Sequence, residues 1–408
     1  MYVSLRDRPA GPAGRRVERV ATTVLLLGVV SMLTDVSSEM VAAVLPLYLT
    51  AEVGLGFVAY GFVDGLYQGV SALVRIAGGY AGDRGGRPKW IAALGYGLSA
   101  VSRIALIPAH GFAVVTTVII GDRLGKGLRT APRDALIAEA SEPAALGRAF
   151  GVHRTLDTVG AVLGPLGAVA LLAIVPGSYG SVFVTSFAFA VIGFAVLMLF
   201  VPDLRTGAAA ARVGMRRVFR EIGGVRLRRP LVATGLLGML TIGDGFLYLA
   251  VQQRDDLAAD LFPLLYVGTN VAYLVLALPL GRLADRIGRA RVFVGGHVAL
   301  AAAYLAAGSQ FGGTAETIVV LLLLGTFYAA TDGVLSALVS RLVSTEAKGS
   351  GIAAAQTVVA LARFASAIAF GSLWGLIGRG DALLLVSALL VAALPLAWWL
   401  LRPTEVAA

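Results

Sequence analysis

The order of apolar and polar residues along the chain predicts its architecture. Long apolar stretches follow one another, and each is separated from the next by a polar interval. A membrane-spanning helix needs about 20 apolar residues to cross about 30 Å of hydrocarbon, and a helix satisfies its own backbone hydrogen bonds in lipid. We therefore predict an all-α membrane protein with twelve spans. The predicted spans are residues 22–49, 57–80, 90–109, 112–136, 147–174, 180–201, 231–251, 261–282, 290–309, 316–341, 351–376 and 381–401.

The lengths of the polar intervals divide the chain into two halves. The longest interval runs from Pro202 to Pro230, and most of the others are a handful of residues long. We therefore predict a six-helix bundle at 1–201, a basic linker at 202–230 and a second six-helix bundle at 231–408. The first apolar stretch is much longer than a signal-peptide core, so we expect it to be the first span.

Composition agrees with a membrane protein and narrows the function classes. The 408 residues are 58% hydrophobic and only 14% charged, which is a larger apolar share than soluble domains have. A net charge of +10 is compatible with nucleic-acid binding, but the basic residues lie in loops between apolar stretches, so we expect no nucleic-acid partner. The chain has no cysteine and three scattered histidines, so we expect no disulfide, no metal centre and no cofactor.

The distribution of lysine and arginine predicts the orientation of the spans. Basic residues concentrate before the first span, after the second, in the linker and after the eighth, whereas the opposite loops hold only Arg254 and Arg379. Because cytoplasmic loops carry an excess of basic residues, we predict a multi-pass protein of the cell membrane with both termini in the cytoplasm. We interpret the linker as a solvated segment held near anionic lipid headgroups.

Ionisable residues interrupt the first and second spans. Asp35 and Glu39 lie one helical turn apart within SMLTDVSSEM (31–40), so they share a helix face. The second span carries a polar stripe at helical spacing that comprises Tyr60, Asp64, Tyr67, Gln68, Ser71 and Arg75. Charged groups at mid-membrane face a cavity or a partner, so they are functional candidates. Carboxylates that share one cavity cannot all ionise cheaply, and we expect at least one of them to bind a proton near neutral pH.

The fourth span supplies a permanent counter-charge. Arg123 stays protonated at any relevant pH, so it can alter the proton affinity of a nearby carboxylate or bind an anionic group of a substrate. We assign proton coupling to Asp35, Glu39, Asp64 and Arg123 and leave open which carboxylate titrates; a buried ion pair that never titrates is the alternative. The predicted substrate cavity comprises Tyr60, Tyr67, Gln68, Arg103, Lys126, Asp157, Asp244, Tyr248, Tyr266, Asn270, Asp332, Gln356 and Arg363.

A short motif occurs once in each predicted half. Residues 79–89 read GYAGDRGGRPK and residues 281–291 read GRLADRIGRAR, and both fit G-x-x-x-D-R-x-G-R-x-[KR]. Duplicated halves are common among transporters, and this loop resembles the one between the second and third spans of the major facilitator superfamily. The resemblance covers nearly the whole chain and implies a cytoplasmic gate. The implied gate residues are Gly79, Asp83, Arg84, Gly86, Arg87 and Lys89, with Asp285, Arg286 and Arg289 as counterparts.

Two further motifs resemble elements of drug/proton antiporters in this family. The stretch RLGKG (123–127) resembles an R-x-x-x-G element whose arginine is often linked to proton coupling. The stretch GAVLGPLGA (160–168) resembles the G-x-x-x-G-P motif of antiporter-type exporters, although Ala168 stands where a glycine is usual. Gly160 and Gly164 would also suit close helix packing, so both interpretations stay open.

These patterns predict a transporter rather than an enzyme. The sequence lacks a nucleophile motif, a metal cluster and a nucleotide-binding loop, and two acids alone are weak support for acid–base catalysis. The resemblance implies alternating access, and we expect a monomer that couples proton movement to efflux of a small organic or drug-like solute. An importer or facilitator of an organic anion or metabolite is the alternative. The resemblance of TDVSSEM and GKGLRTAPRDAL to poorly characterised bacterial members implies no substrate.

Overall fold

The computed structural model describes residues 21–85, 87–142, 145–204, 225–339, 342 and 348–402, and over these ranges it contains helices and no β-strand. Most of the predicted linker, residues 205–224, lies outside them. The helices are α1 Thr22–Leu47, α2 Phe57–Gly85, α3 Pro88–Ala105, α4 Gly111–Glu139, α5 Leu146–Ile174, α6 Tyr179–Phe200, α7 Val225–Met239, α8 Asp244–Asp255, α9 Pro263–Ile287, α10 Arg289–Gly308, α11 Thr314–Val339, α12 Lys348–Ile377 and α13 Arg379–Leu401. A π-helical turn, Tyr48–Glu52, continues α1.

The helices confirm a multi-pass membrane protein. In the described part of the chain, nine helical segments are long and apolar enough to cross a membrane, and α7 and α8 count together as one of them, Leu227–Asp255. The long helices α2, α3 and α4 are not among the nine. These helices carry intramembrane charges such as Asp64, Arg103 and Asp122, which lower their mean hydropathy. The total of twelve spans stays a prediction.

Most helix contacts lie within one half of the chain. In the first half α1 packs along α5 and α6, while α4 packs against α2 and α3. In the second half α11 packs against α9 and α10, and α7 packs against α12 and α13. Contacts between the halves are made mainly by α2 with α12 and by α5 with α9. The functional residues described below lie where these cross-contacts enclose space.

The predicted seventh span is interrupted in the structure. Helix α7 ends at Met239 and α8 begins at Asp244, with Gly243 as the residue preceding the second helix. A break inside a span leaves backbone groups that lipid cannot satisfy. Tyr304 of α10 compensates, because its hydroxyl accepts a hydrogen bond from the Ile242 N–H at 2.9 Å and donates one to the Leu240 carbonyl at 3.2 Å.

One end of the contact between α2 and α12 is tightly closed. Gly61 lies directly against the Ala367 carbonyl, and Gly371 lies against the Phe57 carbonyl, so the two backbones approach more closely than larger residues would allow. Five aromatic side chains pack on each other beside this contact, with ring centroids 4.5–5.9 Å apart. This aromatic cluster comprises Phe57, Tyr60, Phe246, Phe370 and Trp374. These side chains fill the space between α2, α8 and α12 at this end of the molecule.

The predicted orientation can be tested with single cysteines, because the native chain has none. Ala258 and Glu142 are both exposed and lie in loops on opposite predicted sides. In intact cells we expect a membrane-impermeant maleimide to label Ala258→Cys but not Glu142→Cys. Permeabilised cells should give labelling of both, which is the control for reactivity. The reverse pattern in intact cells would contradict the cytoplasmic placement of the termini.

Candidate functional site

A central cavity lies between the two halves. Its volume is about 580 Å³, and its walls come from α1, α2, α4 and α5 on one side and from α8, α9, α11 and α12 on the other. The structure brings together here the following predicted residues: Glu39, Tyr60, Asp64, Tyr67, Gln68, Lys126, Asp244, Tyr248, Tyr266, Asn270, Asp332 and Arg363. Side chains that are distant in sequence therefore face one space.

A second chamber adjoins the first. Its volume is about 540 Å³, and it shares Gln68, Arg154, Tyr273, Asp332 and Arg363 with the central cavity. Gln356 lies in its wall, and both Gln356 and Asp332 are exposed. The second chamber therefore opens the central cavity towards the end of the molecule opposite the aromatic cluster.

Two polar residues of the cavity wall, Tyr328 and Arg154, were not predicted from the sequence. Tyr328 precedes Asp332 by one helical turn on α11, so the same helical spacing that groups the other polar residues could have found it. Arg154 sits three residues before Asp157 near the start of α5, where it resembles an ordinary basic residue of a loop.

The two sides of the cavity meet at Asp64 and Asp244. Asp64 lies against Gly243, where a Cβ atom would be 2.8 Å from the carboxylate carbon of Asp64. Tyr328 donates a hydrogen bond to Asp244 Oδ1 at 2.5 Å. Tyr248 donates one to the Thr269 hydroxyl at 2.8 Å, and its ring lies 4.4 Å from that of Tyr266. Tyrosine hydroxyls and rings therefore surround the two carboxylates.

Glu39 and Asp35 occupy different environments although they share a helix face. Glu39 lines the central cavity together with Lys126. Asp35 is not among the lining residues of either chamber and faces α5 near Gly160, where a Cβ atom would be 3.1 Å from Asp35 Cβ. The proton-coupling role assigned to each of them stays a prediction.

Asp157 also lies outside the two chambers, in a polar cluster between α1, α4 and α5. The Ser31 hydroxyl is 2.9 Å from His153 Nε2 and accepts a hydrogen bond from Arg133 at 3.1 Å. His153 Nδ1 is 3.6 Å from Asp157 Oδ2. Asp35 lies beside this cluster, because it follows Ser31 by one helical turn on α1.

Arg103 and Arg123 share one carboxylate behind the cavity wall. Asp122 Oδ1 is 2.7 Å from Arg103, and Arg123 Nε donates to Asp122 Oδ2 at 2.8 Å. All three residues are 4% exposed or less. Arg103 also donates to the Ser38 hydroxyl at 3.0 Å, and the Arg123 guanidinium lies 3.6 Å from the centre of the Tyr67 ring. This triad of Arg103, Asp122 and Arg123 therefore links α1, α3 and α4, and Arg123 packs against the Tyr67 ring on the side away from the cavity.

The implied gate residues are described only in part. Gly79, Asp83, Arg84 and Gly86 lie outside the residues whose side chains the structure describes. Lys89 is buried and donates to the Met198 and Val201 carbonyls at 3.0 and 2.7 Å, so it satisfies the carboxyl end of α6. Arg289 is 3.0 Å from Asp285 and donates to the Ala337 carbonyl at 3.0 Å, which ties α10 to the end of α11. Arg87 and Arg286 are exposed.

The glycines of the α5 motif face the two acids of α1. A Cβ atom at Gly164 would be 2.8 Å from Glu39 Cβ and 2.7 Å from the Val36 carbonyl oxygen, and one at Gly160 would be under 3.0 Å from the Met32 carbonyl oxygen and 3.1 Å from Asp35 Cβ. Real Cβ atoms essentially never approach other heavy atoms within 3.0 Å. The motif therefore allows α5 to pack directly on the face of α1 that carries the carboxylates.

Comparisons with known proteins agree with this architecture. A family model described as the Major Facilitator Superfamily matches residues 27–260 and 254–408. An uncharacterized MFS-type transporter of Methanocaldococcus jannaschii is 30% identical over 387 residues, which cover 91% of this chain and 94% of the relative. An uncharacterized protein of Mycobacterium tuberculosis is 29% identical over 288 residues, which cover 65% and 66% of the two chains.

Solved transporter structures share the fold. The nucleoside transporter NupG superposes with a TM-score of 0.77 at 14% identity and covers 93% of this chain and 99% of its own. A bacterial homologue of the human lysosomal transporter Spinster, in an inward-facing and unoccupied conformation, gives 0.74 at 14% identity and covers 94% and 97%. At these identities the likeness concerns the fold alone.

The triad around Asp122 predicts a large and specific stability effect. Asp122→Asn leaves two buried arginines beside each other without a counter-charge, so we expect the free energy of unfolding to fall by about 3–5 kcal/mol. Asp134→Asn is the matched control, because the Asp134 side chain is 43% exposed in its ion pair with Arg133 and should cost less than about 1 kcal/mol. Thermal or denaturant unfolding of the purified proteins measures both. Equal effects of the two substitutions would contradict the structural role of the triad.

The α5 glycines predict a position-specific packing effect. Gly164→Ala inserts a methyl group against Glu39 and the Val36 carbonyl, so we expect α1 and α5 to separate at a cost of about 1–3 kcal/mol. Gly167→Ala is the control on the same helix, because its Cβ would meet only Met40 side-chain atoms, at 3.6 Å or more. Comparison of the melting temperatures checks this. A Gly167→Ala protein as unstable as Gly164→Ala would show that the helix tolerates no added methyl group anywhere.

Proposed function

The chain belongs to the major facilitator superfamily, and from this membership we propose that it moves a small polar organic solute across the cell membrane in exchange for protons. In this proposal twelve spans form two six-helix bundles that rock around the central cavity. The observation that carries the proposal is the cavity itself, which presents carboxylates from both halves to one enclosed space. Only groups that reach such a space can exchange protons with water from within a membrane.

The carboxylates have the setting that coupling requires. Glu39 and Asp64 come from the first half, and Asp244 and Asp332 come from the second. None of these four forms an ion pair with a residue that the structure describes, in contrast to Asp122, which is locked between two arginines. A carboxylate without a fixed partner can gain or lose a proton as the cavity opens to one side or the other.

The shape and lining of the cavity support a small polar cargo. A volume of about 580 Å³ lies within the range of small-molecule sites. Tyrosine hydroxyls, amides and charged groups dominate its wall, including Tyr60, Gln68, Asn270 and Tyr273. A solute that satisfies these groups must itself offer hydrogen-bond donors and acceptors, because unpartnered buried polar groups are costly. A purely lipophilic solute would leave them unsatisfied.

The closed aromatic cluster and the open second chamber support alternating access. Phe57, Phe246 and Trp374 seal the cavity at one end, whereas the wall containing Gln356 and Asp332 is exposed at the other. With the predicted orientation, the open end faces the cytoplasm. Solute would exchange with the cytoplasm in this conformation and with the outside after the halves rock. The direction of export rests on the antiporter-like motifs of α4 and α5.

An importer or facilitator of an organic anion is the second candidate. It is favoured by Lys126, Arg154 and Arg363, which all reach the central cavity. Arginine keeps its charge and binds carboxylate or phosphate groups in a fork-like geometry. The two candidates differ in the direction in which solute moves relative to protons. In liposomes, an exchanger accumulates solute when the interior is acidic, whereas a proton symporter accumulates it when the exterior is acidic.

Proton coupling can be tested with purified protein in liposomes that contain a pH-sensitive dye. Addition of a transported solute should move protons across the membrane, and the sign of the pH change gives the direction of coupling. We expect Glu39→Gln and Asp64→Asn to abolish this solute-dependent proton movement, because neither amide can carry a proton in exchange. Asp381→Asn, on the exposed first turn of α13, should leave it unchanged. Normal proton movement in both test variants would rule out these two residues as the coupling groups.

A further inference from the structure

The inner part of the central cavity concentrates negative charge from both halves of the molecule. Asp64 on α2 lies against Gly243, the residue before Asp244 at the first position of α8, and the charge of Asp244 acts on Asp64. Arg363 of α12 acts on both of them, which leaves two carboxylates against one guanidinium. Asp332 lies further along and is within electrostatic range of Arg363 and also of Arg154. The Asp64–Asp244 region therefore holds one negative charge in excess when both carboxylates are ionised.

Hydrogen-bond acceptors in this region lack donors. Asp64 makes no hydrogen bond with any residue that the structure describes, and its buried Oδ2 atom has no partner. The Tyr60 hydroxyl, on a residue that is 2% exposed, has none either. Asp244 accepts a single hydrogen bond, from Tyr328. Buried polar atoms in native proteins are nearly always satisfied, so these oxygens are available to accept hydrogen bonds from a bound ligand.

Arg363 does not supply the missing donors. Its guanidinium forms no ion pair with the carboxylates described here, and its buried Nε atom has no partner. The group lies instead over the faces of Phe327 and Tyr328, at 5.7 and 6.0 Å from the ring centres. It therefore moderates the charge of the site from a distance and leaves the carboxylate oxygens free to bind something else.

Aromatic rings enclose the same space. Tyr248 and Tyr266 contact each other edge to face at 4.4 Å, and Tyr266 lies within electrostatic range of Tyr60 and of both carboxylates. Tyr328 adds a fourth ring through its bond to Asp244. The faces of such rings attract cations, and cages of aromatic rings are used to recognise organic ammonium groups. The excess negative charge, the unpartnered oxygens and the aromatic rings all favour a cationic ligand with N–H donors.

We propose that this site binds the ammonium group of an organic amine, whose N–H groups donate to Asp64, Asp244 and the Tyr60 hydroxyl. The remainder of the solute extends towards Asn270 and Gln68 in the wider part of the cavity. The groups that face Asp64 are Asp244 from α8, Arg363 from α12, Tyr266 from α9 and Tyr60 from its own helix. A proton and the ammonium group compete for the same oxygens, so binding of the amine displaces a proton. This inference rests on the proposed function for its role in transport.

Matched probes that share one ring test the charge preference. Tyramine is a cation at neutral pH, 3-(4-hydroxyphenyl)propionate is an anion and 4-ethylphenol is neutral. Calorimetry on purified protein should show that tyramine binds at least tenfold more tightly than either of the others. Asp64→Asn should weaken tyramine binding at least tenfold, and Tyr60→Phe should weaken it about threefold. Asp381→Asn should leave it unchanged, and an unaltered melting temperature would show that each variant is folded.

Three outcomes of the binding experiment would contradict an amine site. Tighter binding of the anion, equal binding of all three probes, or no binding of tyramine at 10 mM would each overturn it. Calorimetry in two buffers of different ionisation enthalpy counts the protons released, and release by wild type but not by Asp64→Asn is expected. Because this measurement needs no membrane gradient, it is independent of the liposome experiment. A protein that binds tyramine but moves no protons would retain the amine site and lose the proposed coupling.

Discussion

The free-energy cost of placing charged groups in hydrocarbon determines how the ionisable residues of this protein are arranged. Ionisable side chains at the centre of a bilayer are tolerated only when they are paired or reach water. The structure uses both solutions within a few residues of each other. Asp122 is fixed between two arginines and braces three helices, whereas Glu39 and Asp64 reach the central cavity without an ion pair. The ion-paired Asp122 holds helices in place, whereas Glu39 and Asp64 are free to gain or lose a proton. Both arrangements occur in the same half of the protein.

The positions of the helices could be predicted from the sequence because the thickness of the bilayer fixes the length of an apolar segment. The predicted span 180–201 differs from α6, Tyr179–Phe200, by one residue at each end. The break between Met239 and Asp244 could not be predicted, because the intervening residues LTIG continue the apolar stretch. The break depends on Tyr304, which lies more than sixty positions away in sequence, and local patterns carry no information about such a contact.

The candidate site was predictable in composition but not in arrangement. Helical spacing groups Asp35 with Glu39 correctly on one face, yet only Glu39 reaches the cavity. Asp35 lies against α5 near Gly160, whereas Glu39, one turn further along α1, reaches the cavity beside Lys126. Spacing likewise identifies Arg103 as an intramembrane charge but cannot show that Asp122 neutralises it. Helical periodicity predicts which residues share a face, but the contacts of that face depend on the neighbouring helices.

On the proposed function, the closed end of the cavity would connect the carboxylates to the rocking of the two halves. Gly61 and Gly371 bring α2 and α12 into backbone contact, and one turn deeper Asp64 lies against the start of α8. Two ionised carboxylates at this contact repel each other, and burying them without partners is costly. A proton or an ammonium group bound between them would remove both penalties. On the proposed function, loss of that positive charge would therefore destabilise this end of the cavity. The same oxygens that bind the solute would then also determine which end of the cavity opens.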